Sequence, residues 1–158
     1  AEQLENGHVL IADENNNRVI EVDKTTKAIV WQYGAPSKTS ILNGAAFASR
    51  IENGNTLITD SLNNRIVEVN ADKHVVWMFS TNARAGSTAN PNPTRAVRLR
   101  DGTTLISDQF NDQVIEVDRA KHVVFAYGKI GVAGSGFNLS NAPYDAKVIG
   151  DFTGLTQP

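Results

Sequence analysis

Asn53-Gly-Asn-Thr-Leu-Ile-Thr-Asp-Ser-Leu-Asn-Asn-Arg-Ile-Val-Glu-Val-Asn70 decides the fold, because the chain writes it three times. The first copy is Asn6-Gly-His-Val-Leu-Ile-Ala-Asp-Glu-Asn-Asn-Asn-Arg-Val-Ile-Glu-Val-Asp23. The third is Asp101-Gly-Thr-Thr-Leu-Ile-Ser-Asp-Gln-Phe-Asn-Asp-Gln-Val-Ile-Glu-Val-Asp118. Their anchoring aspartates, Asp13, Asp60 and Asp108, stand 47 and 48 residues apart. An apolar run ending in an aromatic closes each copy: Ile29-Val-Trp31, Val75-Val-Trp77 and Val123-Val-Phe125.

Each copy divides into four β-type runs, A to D. Run A is short and rich in small residues, at Ala45–Ile51 and Pro93–Leu99. An Asn-Gly or Asp-Gly pair follows it, at Asn6, Asn53 and Asp101, and predicts a two-residue hairpin with positive φ at both positions. Run B places leucine beside isoleucine, so both faces of the strand are apolar, where a sheet with one wet face would alternate. Run C is Val19–Val22, Ile66–Val69 and Val114–Val117; run D covers about Ala28–Tyr33, His74–Phe79 and His122–Tyr127. No stretch carries the 3.6-residue period of an amphipathic helix. A repeat of this length, built of strands sandwiched on both faces, predicts an all-β chain of propeller blades.

The blades are expected at about 1–36 (its inner strand incomplete), 37–82 and 83–131, as one domain over 1–158. Long Gly-, Ser-, Asn- and Pro-rich loops join each D to the next A. A surplus inner strand is expected at 143–149, where Pro143-Tyr-Asp-Ala-Lys-Val-Ile149 aligns with Pro93–Leu99; over 150–158 the pattern dissolves. Three blades do not close a ring, and an open arc exposes two apolar blade faces. Head-to-tail pairing of two copies into a six-bladed ring answers this, with Pro143, Ala146, Val148 and Ile149 as a clasp completing the partner's first blade. The other answer is that the chain is one piece of a longer polypeptide, or half of a split propeller.

The 158 residues carry a net charge of −2 with both signs interspersed, which gives no field for nucleic acid or an anionic membrane. No apolar run is long enough to span a bilayer. The absence of cysteine excludes disulfides, thiolate zinc sites and thiol nucleophiles. The compartment stays open.

Candidate chemistry sorts by whether it obeys the repeat. Asp13, Asp60 and Asp108, with Asn16, Asn63 and Asn111, are oxygen ligands in type, but their recurrence in every blade reads as turn stabilisation. Glu21, Glu68 and Glu116 recur equally and read as structural, with Lys27, Lys73 and Lys121 or backbone as their strand-D neighbours; such an ion pair is worth little where it is exposed. His8, His74 and His122 are a conceivable metal triad, yet the last two fall on diverging outer strands. The glycine-rich Gly128–Gly136 lacks the Lys-Ser/Thr and the helix of a phosphate loop. No metal and no other cofactor is expected. The residues that break the repeat lie on inner strands: Arg50, Arg95, Arg98, Tyr144, Asp145 and Lys147. They are expected to line a channel mouth, a basic funnel suited to a small anionic ligand or a protein, or simply to keep the pore wet. Leu62 and Phe110 sit at equivalent points of the B–C turns, as a contact patch or as turn packing.

The patterns Asp13…Asn16-Asn-Arg-Val19 and Asp60…Asn63-Asn-Arg-Ile66 resemble the NHL repeats of β-propellers, as does the linker from Gly128 through Gly136-Phe-Asn138 to Pro143 and Ala146. The third copy departs to Asp108…Asn111-Asp-Gln-Val114, which implies that the arginine is not needed in every blade. Propellers of arylsulfotransferases and quinone-dependent dehydrogenases are similar in their Asn-Gly-Asn-Thr-Leu-Ile and Val-Val-Trp phrasing. The resemblance implies a platform for proteins, RNA or small ligands, while some six-bladed relatives are metal-dependent lactonases, lyases or hydrolases. The expectation is therefore a non-enzymatic binding scaffold, with contacts at the channel mouth and D–A loops and with a second copy as partner. The alternatives are a metal-dependent hydrolase or lyase, and an engineered or excised half-propeller with no activity beyond assembly.

Overall fold

The twelve strands over residues 1–150, the part described by the computed structural model, form three four-stranded antiparallel sheets. Sheet one is β1 (Glu2–Gln3), β2 (Val9–Asp13), β3 (Arg18–Val22) and β4 (Ile29–Gly34). Sheet two is β5 (Ala45–Arg50), β6 (Thr56–Asp60), β7 (Arg65–Val69) and β8 (Val75–Ser80). Sheet three is β9 (Arg95–Arg98), β10 (Thr104–Asp108), β11 (Gln113–Val117) and β12 (Val123–Tyr127). Within each sheet the strands pair in chain order, and β5 lies beside β9.

The two-faced B strands do what their sequence predicts. Leu57 packs toward sheet three with Ile66, Trp77, Ile106 and Ile115. Its neighbour Ile58 packs toward sheet one with Leu10, Val19, Tyr33 and Val67. Adjacent residues of one strand thus serve two different cores, as only a sheet covered on both faces allows.

The A–B turns differ from expectation. Only the glycine of each pair has positive φ, at Gly7, Gly54 and Gly102. The turn is closed by the glycine N–H donating to the Leu4, Ile51 or Leu99 carbonyl. The Asx side chain is used instead as an acceptor, from the N–H of His8, Asn55 or Thr103. A longer loop with one glycine bulge therefore replaces the two-residue hairpin.

Each B–C connection is a 3-10 turn: Glu14–Asn16, Ser61–Asn63 and Gln109–Asn111. Each ends in a left-handed residue, Asn17, Asn64 or Asp112, types that tolerate this region. The same residues reach across the blade boundary. Asn17 Oδ1 accepts the Gly44 N–H at 2.8 Å, Asn64 Oδ1 the Asn92 N–H at 3.1 Å, and Asp112 Oδ1 the Ala142 N–H at 2.9 Å. The third bond sets the chain after Ala142 where a fourth inner strand would begin. Ala146 packs there against Val97, Leu99 and Leu105. Over 143–149, however, the described residues form no named strand. An inner strand is laddered only by the B strand of its own blade, and none follows among them. Residues 151–158, where the repeat pattern fails, lie outside the described part.

Candidate functional site

The faces of the inner strands look at the neighbouring blades, so period-two alternation sends Arg50 and Arg98 into the blade boundaries. Arg50 Nη2 lies 2.8 Å from Glu21 Oε2, and its guanidinium stands 5.8 Å from the centre of the Trp31 ring. Arg98 Nη2 lies 3.0 Å from Glu68 Oε2, and its guanidinium stands 5.4 Å from the centre of the Trp77 ring. Each joins one blade's A strand to the C and D strands of the blade before. The structure thus places these two candidate residues at blade boundaries, paired with glutamates.

The glutamates are structural, as expected, but their partners are not lysines: Glu21 and Glu68 are buried and meet asparagine and arginine side chains. Glu68 accepts from Asn55 at 2.7 Å and Asn53 at 3.3 Å, and meets both Arg98 and Arg119. Burial pushes its carboxyl up, but the bonds from Asn55 and Arg119 and the charge of Arg98 outweigh this and lower it to about 2. Glu21 is held below its ordinary range in the same way: burial opposes, and bonds from His8, Arg50 and Asn6 prevail. Arg119 also stands 5.6 Å from the Trp77 ring, whose indole N–H donates to the Arg119 carbonyl at 3.1 Å. Trp31 donates likewise to the Ala71 carbonyl at 3.3 Å.

The Asp-Asn-Arg pattern is a turn device. Arg18 Nε lies 2.7 Å from Asp13 and Arg65 Nε 2.7 Å from Asp60, while Asn16 and Asn63 donate to the same carboxylates. In the third blade Gln113 replaces the arginine, yet the cation is kept. Arg84, from the preceding loop, donates to Asp108 at 2.8 Å and to Gln113 Oε1 at 2.6 Å. The repeat's own arginine is dispensed with in this blade, but its cation is supplied from elsewhere. One bond is lost there: Asp60 Oδ1 accepts the Asn43 N–H at 2.7 Å, but Pro91 stands at the equivalent place and has no N–H. Asp108 Oδ1 is buried without a hydrogen-bond partner, and burial raises its carboxyl above the usual range. Hydrogen bonds from Asn111 and Arg84 oppose that rise without cancelling it.

What remains of the expected site is a cluster at the end where the D–A loops and B–C turns lie. Arg95 Nε is 3.2 Å from Asp145 Oδ1, and Lys147 Nζ is 3.7 Å from Asp145 Oδ2. The Arg95 guanidinium covers the Phe47 ring at 4.3 Å. The Tyr144 carbonyl accepts from Thr94, and its ring is exposed. Ile41, Leu62, Phe110 and Val132 are half exposed in the loops and turns of the same end. At the opposite end a shallow pocket of about 180 Å³ lies between the A–B turns of blades two and three, bordered by Glu52, Asn53, Arg98 and Arg100. Among the described residues no three metal-binding side chains converge. His8 Nδ1 lies 2.7 Å from Glu21, and His122 Nδ1 3.1 Å from Asp118.

No protein-family model and no curated protein matches the chain. Solved structures do. A catalytically inactive variant of virginiamycin B lyase from Staphylococcus aureus, with quinupristin, superposes with a TM-score of 0.59 at 17% identity, covering 84% of this chain and 40% of that one. The selenomethionine-substituted form of the same lyase gives 0.59 at 17%, covering 87% and 45%. A streptogramin B lyase structure gives 0.59 at 17%, covering 84% and 40%. The likeness shows the fold, a β-propeller, and the chain spans less than half the length of these neighbours.

Proposed function

We propose that this is a half-propeller of NHL type that acts as a non-enzymatic binding scaffold, assembled head to tail with a second copy of itself. The carrying observation is a set of exposed apolar side chains, which we term the crown, at the loop end. Ile41, Leu62, Phe110 and Tyr144 are 53, 52, 46 and 69% exposed, at the same end as the charged Arg95, Asp145 and Lys147. Aromatic and aliphatic side chains together with such charges suit a polypeptide carrying an acidic residue, or a small carboxylate. Arg50, Arg98 and Arg84, by contrast, serve the frame. The proposed contact surface is therefore Arg95, Tyr144, Asp145 and Lys147 with the crown.

A random peptide array tests this. The native protein is expected to select peptides with aromatic and acidic residues, and the triple substitution Leu62→Ser, Phe110→Ser, Tyr144→Ser to lose that selection with its circular dichroism unchanged. Equal selection by both proteins contradicts the proposal. The fold kinship favours a second reading, lyase chemistry like that of the neighbours. Chromatographic loss of quinupristin on incubation with the native protein would establish it in place of the first.

A further inference from the structure

The two internal blade boundaries are built to one plan, and the two outer blade faces carry complementary halves of that plan. At each internal boundary the leading blade offers a strand-C glutamate and, directly opposite it, a strand-D tryptophan: Glu21 with Trp31, and Glu68 with Trp77. The following blade offers its A-strand residue from the ladder position paired with the first residue of strand B, Arg50 or Arg98. It also offers the second residue of its C–D turn, Ala71 or Arg119, whose carbonyl receives the indole N–H.

The outer face of the third blade presents Glu116 opposite Phe125. Glu116 is only half buried and is held by the Thr103 hydroxyl at 2.7 Å. Phe125 and Tyr127 are 50 and 43% exposed, whereas their counterparts Trp77 and Phe79 are 6 and 7% exposed. The outer face of the first blade supplies the missing half. Gln3 pairs with Val9 and so holds the place of Arg50 and Arg98. Lys24, next after the Asp23 that opens the C–D turn, holds the place of Arg119. Lys24 Nζ already lies 3.4 Å from Gln3 Oε1. The ladder has a matching gap: β1 pairs only with Val9 and Leu10, so Ile11–Asp13 have no inner-strand partner among the described residues. On the other face, Ala142–Ala146 already sits where such a strand belongs.

We infer that the outer face of blade three docks the outer face of blade one of a second copy, with Lys24 and Gln3 of one copy closing on Glu116 of the other. Lys24 then takes both roles of Arg119, an ion pair with the glutamate and a cation over the aromatic ring of Phe125. Phe125 lacks an indole N–H and asks no carbonyl of its neighbour, which relaxes the fit required at this boundary. This rests on the head-to-tail assembly proposed above and names the residues that hold it together.

Charge reversal read by sedimentation equilibrium tests it on the whole chain. Lys24→Glu, at a position exposed in one copy, is expected to raise the dimer dissociation constant about tenfold per boundary, hence about a hundredfold for two equivalent boundaries. Glu116→Lys is expected to do the same, and the double reversal to restore affinity to within about tenfold of the native value. A native dimer indifferent to both single reversals would overturn the Lys24–Glu116 contact while leaving the ring intact. A native chain that stays monomeric throughout would overturn the ring itself, leaving further repeats of a longer chain as the occupant of the blade face.

Discussion

Replacing Glu68 by alanine removes the anion on which the boundary between blades two and three is built. Arg98, its side chain 10% exposed, is left without that carboxylate, and the amides of Asn53 and Asn55 lose their acceptor. Breaking a buried pair from one side costs about 3–5 kcal/mol. A second route gives a compatible figure. A carboxyl held at about 2, against an ordinary 4.5, reports about 3 kcal/mol of preference for the ionised form. Screening on the open side of Arg119 reduces this to roughly 2 kcal/mol. Urea unfolding at pH 7 should therefore show Glu68→Ala destabilised by about 2–4 kcal/mol with an unchanged slope. Glu116→Ala, measured as the isolated chain, should lose less than about 1 kcal/mol. The pH dependence follows from the sign of the shift. A carboxyl lowered in the folded state contributes its full stability above its unfolded value near 4.5, and loses it as the pH falls toward 2. The gap between the native protein and Glu68→Gln should close over that window. A loss equal to that of Glu116→Ala, or a gap that stays constant from pH 7 to 2, would refute the reasoning.

Arg84→Ala should uncover Asp108 and destabilise by about 3 kcal/mol at pH 7. Because the Asp108 carboxyl is already raised, protonation relieves the defect, so this loss should shrink as the pH falls toward 4; denaturation at both pH values checks it. Pro91→Ala restores the N–H that Asn43 gives Asp60. It should lower the carboxyl of Asp108 in a carbon-detected NMR titration. The net gain should be about 1 kcal/mol at pH 7, a charge-assisted bond less the greater freedom of the unfolded chain. An unmoved Asp108 titration would disprove the role given to the proline.

The blades were legible because their signal is local and repeated. Leucine beside isoleucine in every B strand shows two buried faces without any knowledge of what covers them. The turns were half legible: Asn53-Gly54 marks a reversal, but whether asparagine supplies backbone geometry or a side-chain acceptor is settled by the carbonyl of Ile51, two residues upstream. The boundary pairs were not legible as such. Glu68 and Arg98 lie 30 residues apart, and their meeting follows only when the register of one sheet is laid over that of the next. The places of Arg50 and Arg98 were illegible for the same reason, because the inner strand turns these two side chains toward the preceding blade. Arg84 illustrates a further limit: a guanidinium lost at position 113 returns from an irregular loop whose sequence has no counterpart in the other copies. One clue did stand in the chain, since Arg50 and Arg98 occupy the same place in their repeats and so belong with the frame.

The central claim is that the exposed faces of blades one and three meet in a pair of chains, and the mass in solution tests it most directly. Light scattering on the eluting native protein should give twice the 17.1 kDa of one chain. A mass of one chain, unchanged as the concentration is raised well into the micromolar range, would contradict it.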